Sequence, residues 1–378
     1  MKKLLMTASV YSHISNFHLP YLREFQRLGW ETHVGCRDIP ADAPYIDEAI
    51  ELPFEKRMQS RENFRLAHLL RRKIASEGYD LIITHTSLAA FFTRLAVKGG
   101  RTAKMIYVCH GYLFDDDTPL LKRSILLNAE RLVAPQTDLL LTMNAWDYEA
   151  AKKNRLGLCV NNIPGIGVDF ARLDKVTLED GLRLRKELGV PRDAFVLIYP
   201  AEFSKRKSQH VLIEAMTKLP ERVVMVLPGY GDFLDDCKKQ ADKLNLGQRV
   251  LFPGQVDGIS DWYRMADASV SASRSEGLPF NVMEAMYMGL PVIASAVKGH
   301  LDLIDDGETG LLYPYGDAAA CAEQILRLAD NAALRERICM RARTRVSQYA
   351  LDAVLPEVMR QYLGNEPEPD YQEYALNG

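Results

Sequence analysis

The chain has 378 residues, of which 47% are hydrophobic and 26% charged, and its net charge is −3. This length exceeds one ordinary core and fits two α/β domains of about 150 to 200 residues each. The apolar fraction argues against global disorder, and no apolar run approaches the roughly 20 residues that cross a bilayer. Six scattered cysteines without CxxC pairing argue against a zinc site or a disulfide framework. We therefore expect a cytoplasmic protein with reduced cysteines.

The charge is divided unevenly along the chain. Residues 1–165 contain 22 basic and 18 acidic side chains, whereas the remainder contains 25 and 32. The basic excess is far below that of a nucleic-acid-binding protein, and no RNA- or DNA-binding motif accompanies it. We predict no nucleic-acid partner, although a local basic face could meet phosphates or anionic lipid.

In the first half, short apolar runs alternate with helix-length amphipathic segments, which is typical of parallel sheets covered on both faces. The opening MKKLLMTASV lacks the cleavage site of a secretion signal and is interpreted as the first strand. The following loop, SVYSHISNFHLP, contains no glycine, so the dinucleotide-binding GxGxxG turn is missing, and no Walker loop is present. Strands are predicted at 3–9, 31–35, 80–84, 105–109 and 139–143.

A turn-rich segment, NNIPGIGV at 161–168, separates this series from a second one and is the best hinge candidate. In the second series, strands are predicted at 195–200, 223–227, 250–252, 268–271, 291–295 and 311–313. The predicted organisation is an N-terminal domain at 1–167, a C-terminal domain at 168–345, a helix at 346–364 that packs back on the first domain, and a flexible tail at 365–378.

The segment SRSEGLPFNVMEAMYMGLP at 273–291 carries most of the chemistry. It runs from a strand into a helix, with Ser275 as predicted N-cap, Pro279 in the first turn and Gly277 allowing close approach of a ligand to the backbone. Backbone N–H groups there would suit a diphosphate. Glu276 and Glu284 could bind a sugar and a ribose at different depths. The alternative is a solvated acidic helix start favoured by the helix dipole.

This segment resembles the E-x7-E signature of the retaining family-four glycosyltransferases, with Glu276 and Glu284 at the two acidic positions. VLFPGQV from 250, MADASV from 265, GLPVIAS from 289 and DGETGLL from 306 follow in the family's order. The resemblance implies the GT-B fold, an α/β architecture of two facing Rossmann-like doubly wound domains with a cleft between them. The first domain would bind the acceptor and the second the nucleotide-sugar donor.

The resemblance also implies residue roles in the second half. Lys207 matches the lysine that grips the donor phosphates, and Arg206 could supply the second cation because Glu202 stands where the family has arginine. A diphosphate leaving group needs such charge neutralisation. The other implied donor-binding residues are Gly229, Gly231, Gly277, Leu278, Pro279, Phe280 and Glu284. Without the family match, Lys205 to Lys207 would be interpreted as an ordinary solvated helix start.

The first half carries motifs similar to a capsule and exopolysaccharide subgroup: NFHLPYL from 16, CHGYLF from 109 and PLLKR from 119. His110 matches the family histidine near the donor sugar, so the resemblance implies His110, Lys207 and Glu276 as the catalytic set. By itself, a histidine after a buried strand is more often structural. The implied acceptor-side residues, where relatives have Gly-Gly, are Ser12, His13, Ile14 and His18.

The predicted function is transfer of a hexose or N-acetylhexosamine, with retention, in surface polysaccharide biosynthesis. The donor would be a nucleotide sugar, with UDP-sugar favoured, and the acceptor a polyprenol-linked saccharide. No cofactor and no metal are expected, and Asp115 to Asp117 are interpreted as a solvated loop before a helix. The alternatives are a nucleotide-sugar 2-epimerase of the same architecture, or a non-catalytic scaffold in a polysaccharide assembly complex.

Basic residues suggest a peripheral contact with the cytoplasmic face of the membrane. Arg57, Arg61 and Arg65, beside Lys56, recur every four positions and are predicted to share one helical face. Leu120-Leu121-Lys122-Arg123 sets apolar beside basic residues. The alternative is a solvated basic face, since no large apolar moment is evident.

Overall fold

The structure is a computed structural model that describes residues 1–55, 57–98 and 103–364. The chain divides into two compact units, one formed by Met1–Ile166 with Asp352–Gly378 and the other by Gly167–Leu351. The predicted tail at 365–378, and Lys56 of the predicted basic face, lie outside the described residues.

The first unit is built on a seven-stranded parallel sheet in the order β3-β2-β1-β4-β5-β6-β7. The five predicted strands are confirmed, and two short strands at the sheet edges were not predicted. The strands are β1 (Lys3–Val10), β2 (Glu31–Arg37), β3 (Glu48–Glu51), β4 (Leu81–His85), β5 (Lys104–Val108), β6 (Leu139–Thr142) and β7 (Cys159–Asn162).

Helices of the first unit follow most of these strands. The segment after β1 is a helix, so the prediction of a loop there was wrong. The helices are α1 (Tyr11–Phe17), α2 (Leu19–Arg27), α3 (Arg61–Glu77), α4 (Ser87–Ala96), α5 (Leu120–Val133) and α6 (Ala145–Asn154).

The second unit is built on a six-stranded parallel sheet in the order β10-β9-β8-β11-β12-β13. All six strands were predicted. They are β8 (Phe195–Ile198), β9 (Val223–Pro228), β10 (Val250–Gly254), β11 (Ala268–Ser271), β12 (Val292–Ser295) and β13 (Leu311–Tyr313).

The helices of the second unit cover a core formed by apolar residues of the central strands, among them Leu197, Met225 and Val270, all fully buried. They are α7 (Leu178–Glu187), α8 (Gln209–Met216), α9 (Leu234–Lys243), α10 (Ile259–Met265), α11 (Phe280–Tyr287), α12 (His300–Leu303), α13 (Ala318–Ala329) and α14 (Ala332–Val346).

The last described helix, α15 (Leu351–Leu363), returns to the first unit. Its Tyr362 is buried and stacks on Phe25 with ring centroids 6.2 Å apart, and the Tyr362 carbonyl accepts a hydrogen bond from Lys104 Nζ at 2.9 Å. Among the described residues, no helix is both long enough and apolar enough to span a membrane.

Both sheets contain the doubly wound strand order 3-2-1-4-5-6. In such sheets ligands bind at the carboxyl ends of the strands, where the strand order reverses. The reversal falls between β1 and β4 in the first unit and between β8 and β11 in the second. These two places are where polar side chains converge.

Candidate active site

Glu276 is the centre of a buried charged cluster in the second unit. Its side chain is 7% exposed, and its carboxylate accepts hydrogen bonds from Lys207 Nζ at 2.5 Å and Arg206 Nη1 at 2.8 Å. Ser273 Oγ donates to the same carboxylate at 2.5 Å. Two cations thus share one carboxylate, which leaves the cluster with a surplus positive charge.

The central strands bring this cluster together. Lys207 and Arg206 lie in the loop after β8, and Glu276 in the loop after its neighbour β11. The Arg274 backbone N–H donates to the Arg206 carbonyl at 2.8 Å, which ties the two loops together. The Tyr199 hydroxyl lies 2.8 Å from Ser273 Oγ and donates to the Lys207 carbonyl at 3.2 Å.

The charges of the cluster oppose the effect of burial. Burial raises the pKa of the Glu276 carboxyl, but Lys207 and Arg206 outweigh it and hold that pKa well below its usual value. Burial lowers the pKa of the Lys207 ammonium, against the opposing attraction of Glu276. The Glu276 charge raises the pKa of Arg206. The two cations thus favour the charged form of the Glu276 carboxylate, in keeping with an anion-binding role for this cluster.

Glu284 lies on α11 and is buried among different partners. Its carboxylate pairs with Arg172, in the 3-10 turn Ala171–Leu173, and accepts a hydrogen bond from the Tyr263 hydroxyl at 3.0 Å. Burial raises the pKa of Glu284, opposed by Arg172 and Tyr263. Neither Arg172 nor Tyr263 was predicted, because no recognisable motif surrounds them.

The helix after this loop begins later than predicted. Its first residue is Phe280 and its N-cap is Pro279, which provides no side-chain cap, so the prediction of Ser275 as N-cap was wrong. The Ser275 carbonyl instead accepts a hydrogen bond from Arg206 Nη1 at 3.2 Å. Gly277, Leu278 and Pro279 therefore form the connection between the charged cluster and the helix.

Three glycines allow backbones to pack closely around the cluster. A Cβ on Gly229 would lie 2.0 Å from the Ala201 carbonyl oxygen, and one on Gly231 would lie 2.4 Å from that of Phe203. A Cβ on Gly299 would lie 2.8 Å from Glu276 Cβ. These positions require glycine for steric reasons, so their presence does not by itself identify a phosphate contact.

The predicted residues of the first unit lie at its own strand ends. His13 and Ile14 belong to α1, His18 lies between α1 and α2, and His110 follows β5. Ser12 is exposed, whereas the Ile14 side chain is fully buried and so cannot face an acceptor.

The imidazoles of this unit meet in one cluster, which we call the histidine cluster: His13, His18, His85 and His110. His85, the last residue of β4, was not predicted; it follows the apolar residues Leu81 to Ile83 of the strand and has no motif of its own. Burial lowers the pKa of His13 to about 4. Burial, reinforced by neighbouring imidazoles, lowers the pKa values of His18, His85 and His110 well below the ordinary value. All four are therefore neutral near neutral pH.

Comparison with known proteins identifies the family. Residues 21–155 match the model described as Glycosyltransferase Family 4, and residues 182–345 match Glycosyl transferases group 1. The chain is 35% identical over 333 residues to the putative glycosyltransferase EpsD of Bacillus subtilis, covering 86% of this chain and 87% of that protein. The chain belongs to the family-four glycosyltransferases.

One further relative has a similar sequence, and two solved structures have a similar fold. This glycosyltransferase is 24% identical to the Escherichia coli UDP-Gal:alpha-D-GlcNAc-diphosphoundecaprenol alpha-1,3-galactosyltransferase, over 83% of this chain and 84% of that enzyme. Its fold is similar to Anabaena Alr3699/HepE solved with UDP and glucose, with a TM-score of 0.78, 21% identity and coverage of 96% and 100%. WaaG, a glycosyltransferase of lipopolysaccharide biosynthesis, has a TM-score of 0.74 at 16% identity, with coverage of 96% and 100%. The predicted GT-B fold of two Rossmann-like domains is confirmed.

Proposed function

We propose that this glycosyltransferase moves a sugar from a UDP-sugar to a polyprenol-linked saccharide, with retention, in the assembly of a surface polysaccharide. The observation that carries the donor assignment is the Lys207, Arg206 and Glu276 cluster, which has two cations for one buried carboxylate. A nucleoside diphosphate supplies the anion that such a cluster can bind. The UDP and glucose found with the similar HepE structure support this donor class.

The acceptor is proposed from the names of relatives. The name of the E. coli relative gives GlcNAc-diphosphoundecaprenol as its acceptor. Of the two relatives, EpsD is the more similar to this chain. A polyprenol diphosphate saccharide is therefore the acceptor class that we would test first. In this proposal the first unit binds the acceptor and the second the donor.

The proposed roles follow the contacts within each unit. Lys207 and Arg206 hold the diphosphate, assisted by the backbone N–H groups of Gly277 and Leu278, and Glu276 orients the donor sugar through its hydroxyls. Glu284 binds the ribose, because a charged carboxylate is a strong acceptor for a diol. Transfer then depends on positioning and on neutralising the leaving diphosphate, and requires no metal at the diphosphate.

His110 is assigned to the donor sugar and Ser12 and His13 to the acceptor, because the His18 side chain is as fully buried as that of Ile14. His110 is neutral and 3.3 Å from His13 Nε2, so it could donate or accept one hydrogen bond without adding charge. A neutral imidazole suits a sugar hydroxyl better than a phosphate.

Two other functions remain open to test. A 2-epimerase would isomerise the donor without an acceptor. A scaffold would bind the donor without turnover, and Glu202 in place of the family arginine would favour this second alternative. The contact of Arg206 with the Glu276 carboxylate argues against the scaffold, because Arg206 and Lys207 together then supply the two cations of a donor site. Incubation with UDP-sugars separates the three functions. Slow release of UDP supports a transferase, and an isomerised donor supports the epimerase. Stabilisation of the folded protein without turnover supports the scaffold.

We also propose that α5 docks on the cytoplasmic face of the membrane. Leu120, Leu121 and Ile125 are 82%, 77% and 58% exposed, and Lys122 beside them is exposed too. Leu121 and Ile125 share a helical face, and each basic residue near an anionic surface adds about 1 kcal/mol of attraction.

The predicted arginine face is only partly supported. Arg57 precedes α3, whose N-cap is Ser60, so the prediction of one helical face through Arg57, Arg61 and Arg65 was wrong. Arg65 also pairs with Glu62 at 2.5 Å, which offsets its charge. The apolar residues of α5 thus carry the membrane proposal.

A further inference from the structure

The histidine cluster brings together four side chains from three separate places in the first unit. His13 and His18 follow β1, His85 ends β4 and His110 follows β5. These strands are neighbours in the parallel sheet, so their carboxyl ends lie side by side where the strand order reverses. Each residue offers one ring nitrogen, and the four nitrogens all lie within 4.8 Å of one another.

Three of the six nitrogen separations match those of ligands around a single metal ion. His13 Nε2 lies 3.3 Å from His110 Nε2 and 3.3 Å from His18 Nε2, and His85 Nδ1 lies 3.1 Å from His110 Nε2. Zinc–nitrogen bonds of about 2.05 Å at tetrahedral angles place ligand nitrogens about 3.3 Å apart. We propose that the histidine cluster binds one divalent transition-metal ion of the Zn²⁺ type.

Hydrogen bonds alone account poorly for this arrangement. His13 Nε2 approaches two other nitrogens, and so does His110 Nε2, yet each nitrogen can carry only one proton. One proton cannot point at two acceptors with good geometry. A metal ion, by contrast, accepts all of these lone pairs at once.

The outer nitrogens of the two most buried rings point to the same conclusion. Within the described residues, His18 Nδ1 and His85 Nε2 are buried without a hydrogen-bond partner. On the outer side of either ring, no described protein group fixes the position of the proton, and the inner nitrogens approach other imidazoles. A metal on His18 Nε2 and His85 Nδ1 would place the proton on the outer nitrogen and define the tautomer. The neutral imidazoles are also the form that binds metals.

The geometry distinguishes firm ligands from optional ones. The rings of His18 and His85 stack with centroids 3.7 Å apart and planes at 28°, closer than two ligands of a tetrahedral ion. An ion that takes both must rotate one ring. We therefore expect His13, His110 and one ring of the stacked pair to bind first, with the other ring or a water completing the site.

A second group, His33 with Glu48 and Glu77, is a weaker metal site. Its carboxylates are already occupied, since Lys73 Nζ lies 2.6 Å from Glu48 and 2.8 Å from Glu77. His33 Nε2 is bound to Glu31 at 2.8 Å. Ion pairs within the protein satisfy this group, which makes it a useful internal comparison.

A consequence follows for transfer, and this step rests on the proposed function. If His110 contacts the donor sugar, an ion bound to its Nε2 removes that contact, and Zn²⁺ should inhibit turnover. The metal would then regulate the enzyme and would differ from a metal on the diphosphate, which we do not expect. If Zn²⁺ binds and turnover is unchanged, the metal site stands and the role of His110 is wrong.

The test measures metal binding directly, on the full chain after removal of any affinity tag. Zn²⁺ is titrated in competition with a chromophoric chelator, and Co²⁺ is added separately to record the visible bands of a tetrahedral imidazole site. The variants are His13→Asn, His110→Asn, His18→Gln and His85→Gln, with the exposed His68→Asn and His210→Asn as matched controls. His33→Gln reports on the second group, and circular dichroism checks folding.

We expect one ion per chain for the wild type, lost on substitution of His13 or His110. Removing a direct ligand should weaken binding by about 100-fold or more, because even second-layer residues change affinity by about 10- to 100-fold. The controls and His33→Gln should leave it unchanged. Lack of Zn²⁺ and Co²⁺ uptake by the folded wild type, or equal binding by folded His13→Asn and His110→Asn proteins, would overturn the proposal.

Discussion

The Nζ atom of Lys207 lies 2.5 Å from Oε1 of Glu276, and the side chains of both residues are nearly buried, at 12% and 7% exposure. Neither charge can therefore be removed without leaving the other largely shielded from water. Arg206 shares the same carboxylate and keeps the cluster positive overall. This relationship makes the two residues the most informative targets for substitution.

Replacing Lys207 by Ala should lower kcat and donor affinity together. The lysine would neutralise charge already present on the diphosphate and charge that grows as the sugar bond breaks. The expected loss in kcat/KM is about 2 to 4 kcal/mol. Steady-state kinetics with the active UDP-sugar measure it, with exposed Lys205→Ala as the control. Near-normal kinetics of the Lys207 variant would mean that Lys207 does not hold the diphosphate. The double variant of Lys207 and Arg206 would then show whether Arg206 holds it.

The variants Glu284→Gln and Glu276→Gln should distinguish binding of the nucleotide from binding of the donor sugar. Glu284 is assigned to the ribose, so its variant should bind UDP and UDP-sugar more weakly. Glu276 is assigned to the sugar, so its variant should bind free UDP almost normally. Calorimetry with UDP alone makes the comparison, and equal losses in both variants would contradict this division.

The same two glutamates should change the pH dependence of stability in opposite directions. The pKa of Glu276 in the folded chain is below its usual value of 4.5, so its ion pairs stabilise the fold fully above that pH and progressively less below it. The stability difference between wild type and Glu276→Gln should therefore shrink on acidification. Glu284 has a raised pKa, so the wild type should gain relative to Glu284→Gln as its carboxylate is protonated. Denaturant unfolding from neutral pH to about pH 3 measures both differences, and changes of the same sign would show that one assignment is wrong.

Gly299→Ala should damage the donor site more than a matched glycine substitution. Gly299 and Gly289 have φ values of 82° and 79°, so alanine is similarly strained at both, by about 1 to 2 kcal/mol. A Cβ on Gly299 would also lie 2.8 Å from the Gly277 carbonyl oxygen, whereas one on Gly289 would meet nothing within 4 Å. We expect both variants to lose stability but only Gly299→Ala to lose UDP affinity. Equal UDP affinity in the two variants would show that the Gly277 loop does not contact the nucleotide.

Much of the fold followed from the sequence because central strands carry long apolar runs. All eleven predicted strands are present, including β9, whose residues are buried throughout. The missed strands β3 and β7, EAIE and CVNN, lie at sheet edges and are half exposed, so they carry no continuous apolar pattern.

The site was predicted less completely, because some partners are recognisable only in space. Lys207 and Glu276 lie in motifs, and the structure brings them together. Arg172 is 112 positions from Glu284, and His85 is 25 from His110, and neither partner lies in a motif of its own. The helix was predicted to begin too early, because Ser275 is a good N-cap by residue type. In the structure the helix begins at Phe280, and Ser275 lies in the preceding loop, where its carbonyl accepts a hydrogen bond from Arg206.

Membrane docking should depend on the apolar residues of α5 more than on the arginines near α3. Leu121, Ile125 and Leu132 lie on one helical face and are 77%, 58% and 49% exposed. Replacing Leu120, Leu121 and Ile125 by Ser should abolish co-sedimentation with anionic vesicles, because burial of each side chain adds about 1.5 to 3 kcal/mol. Leu178→Ser with Leu182→Ser, at 70% and 64% exposure in the second unit, is the matched control.

Replacing Arg57, Arg61 and Arg65 by Glu should weaken vesicle binding only at low salt, since exposed charges are screened. If wild type ignores vesicles rich in anionic lipid at low salt, or if the α5 variant binds them like the control, this docking surface is wrong.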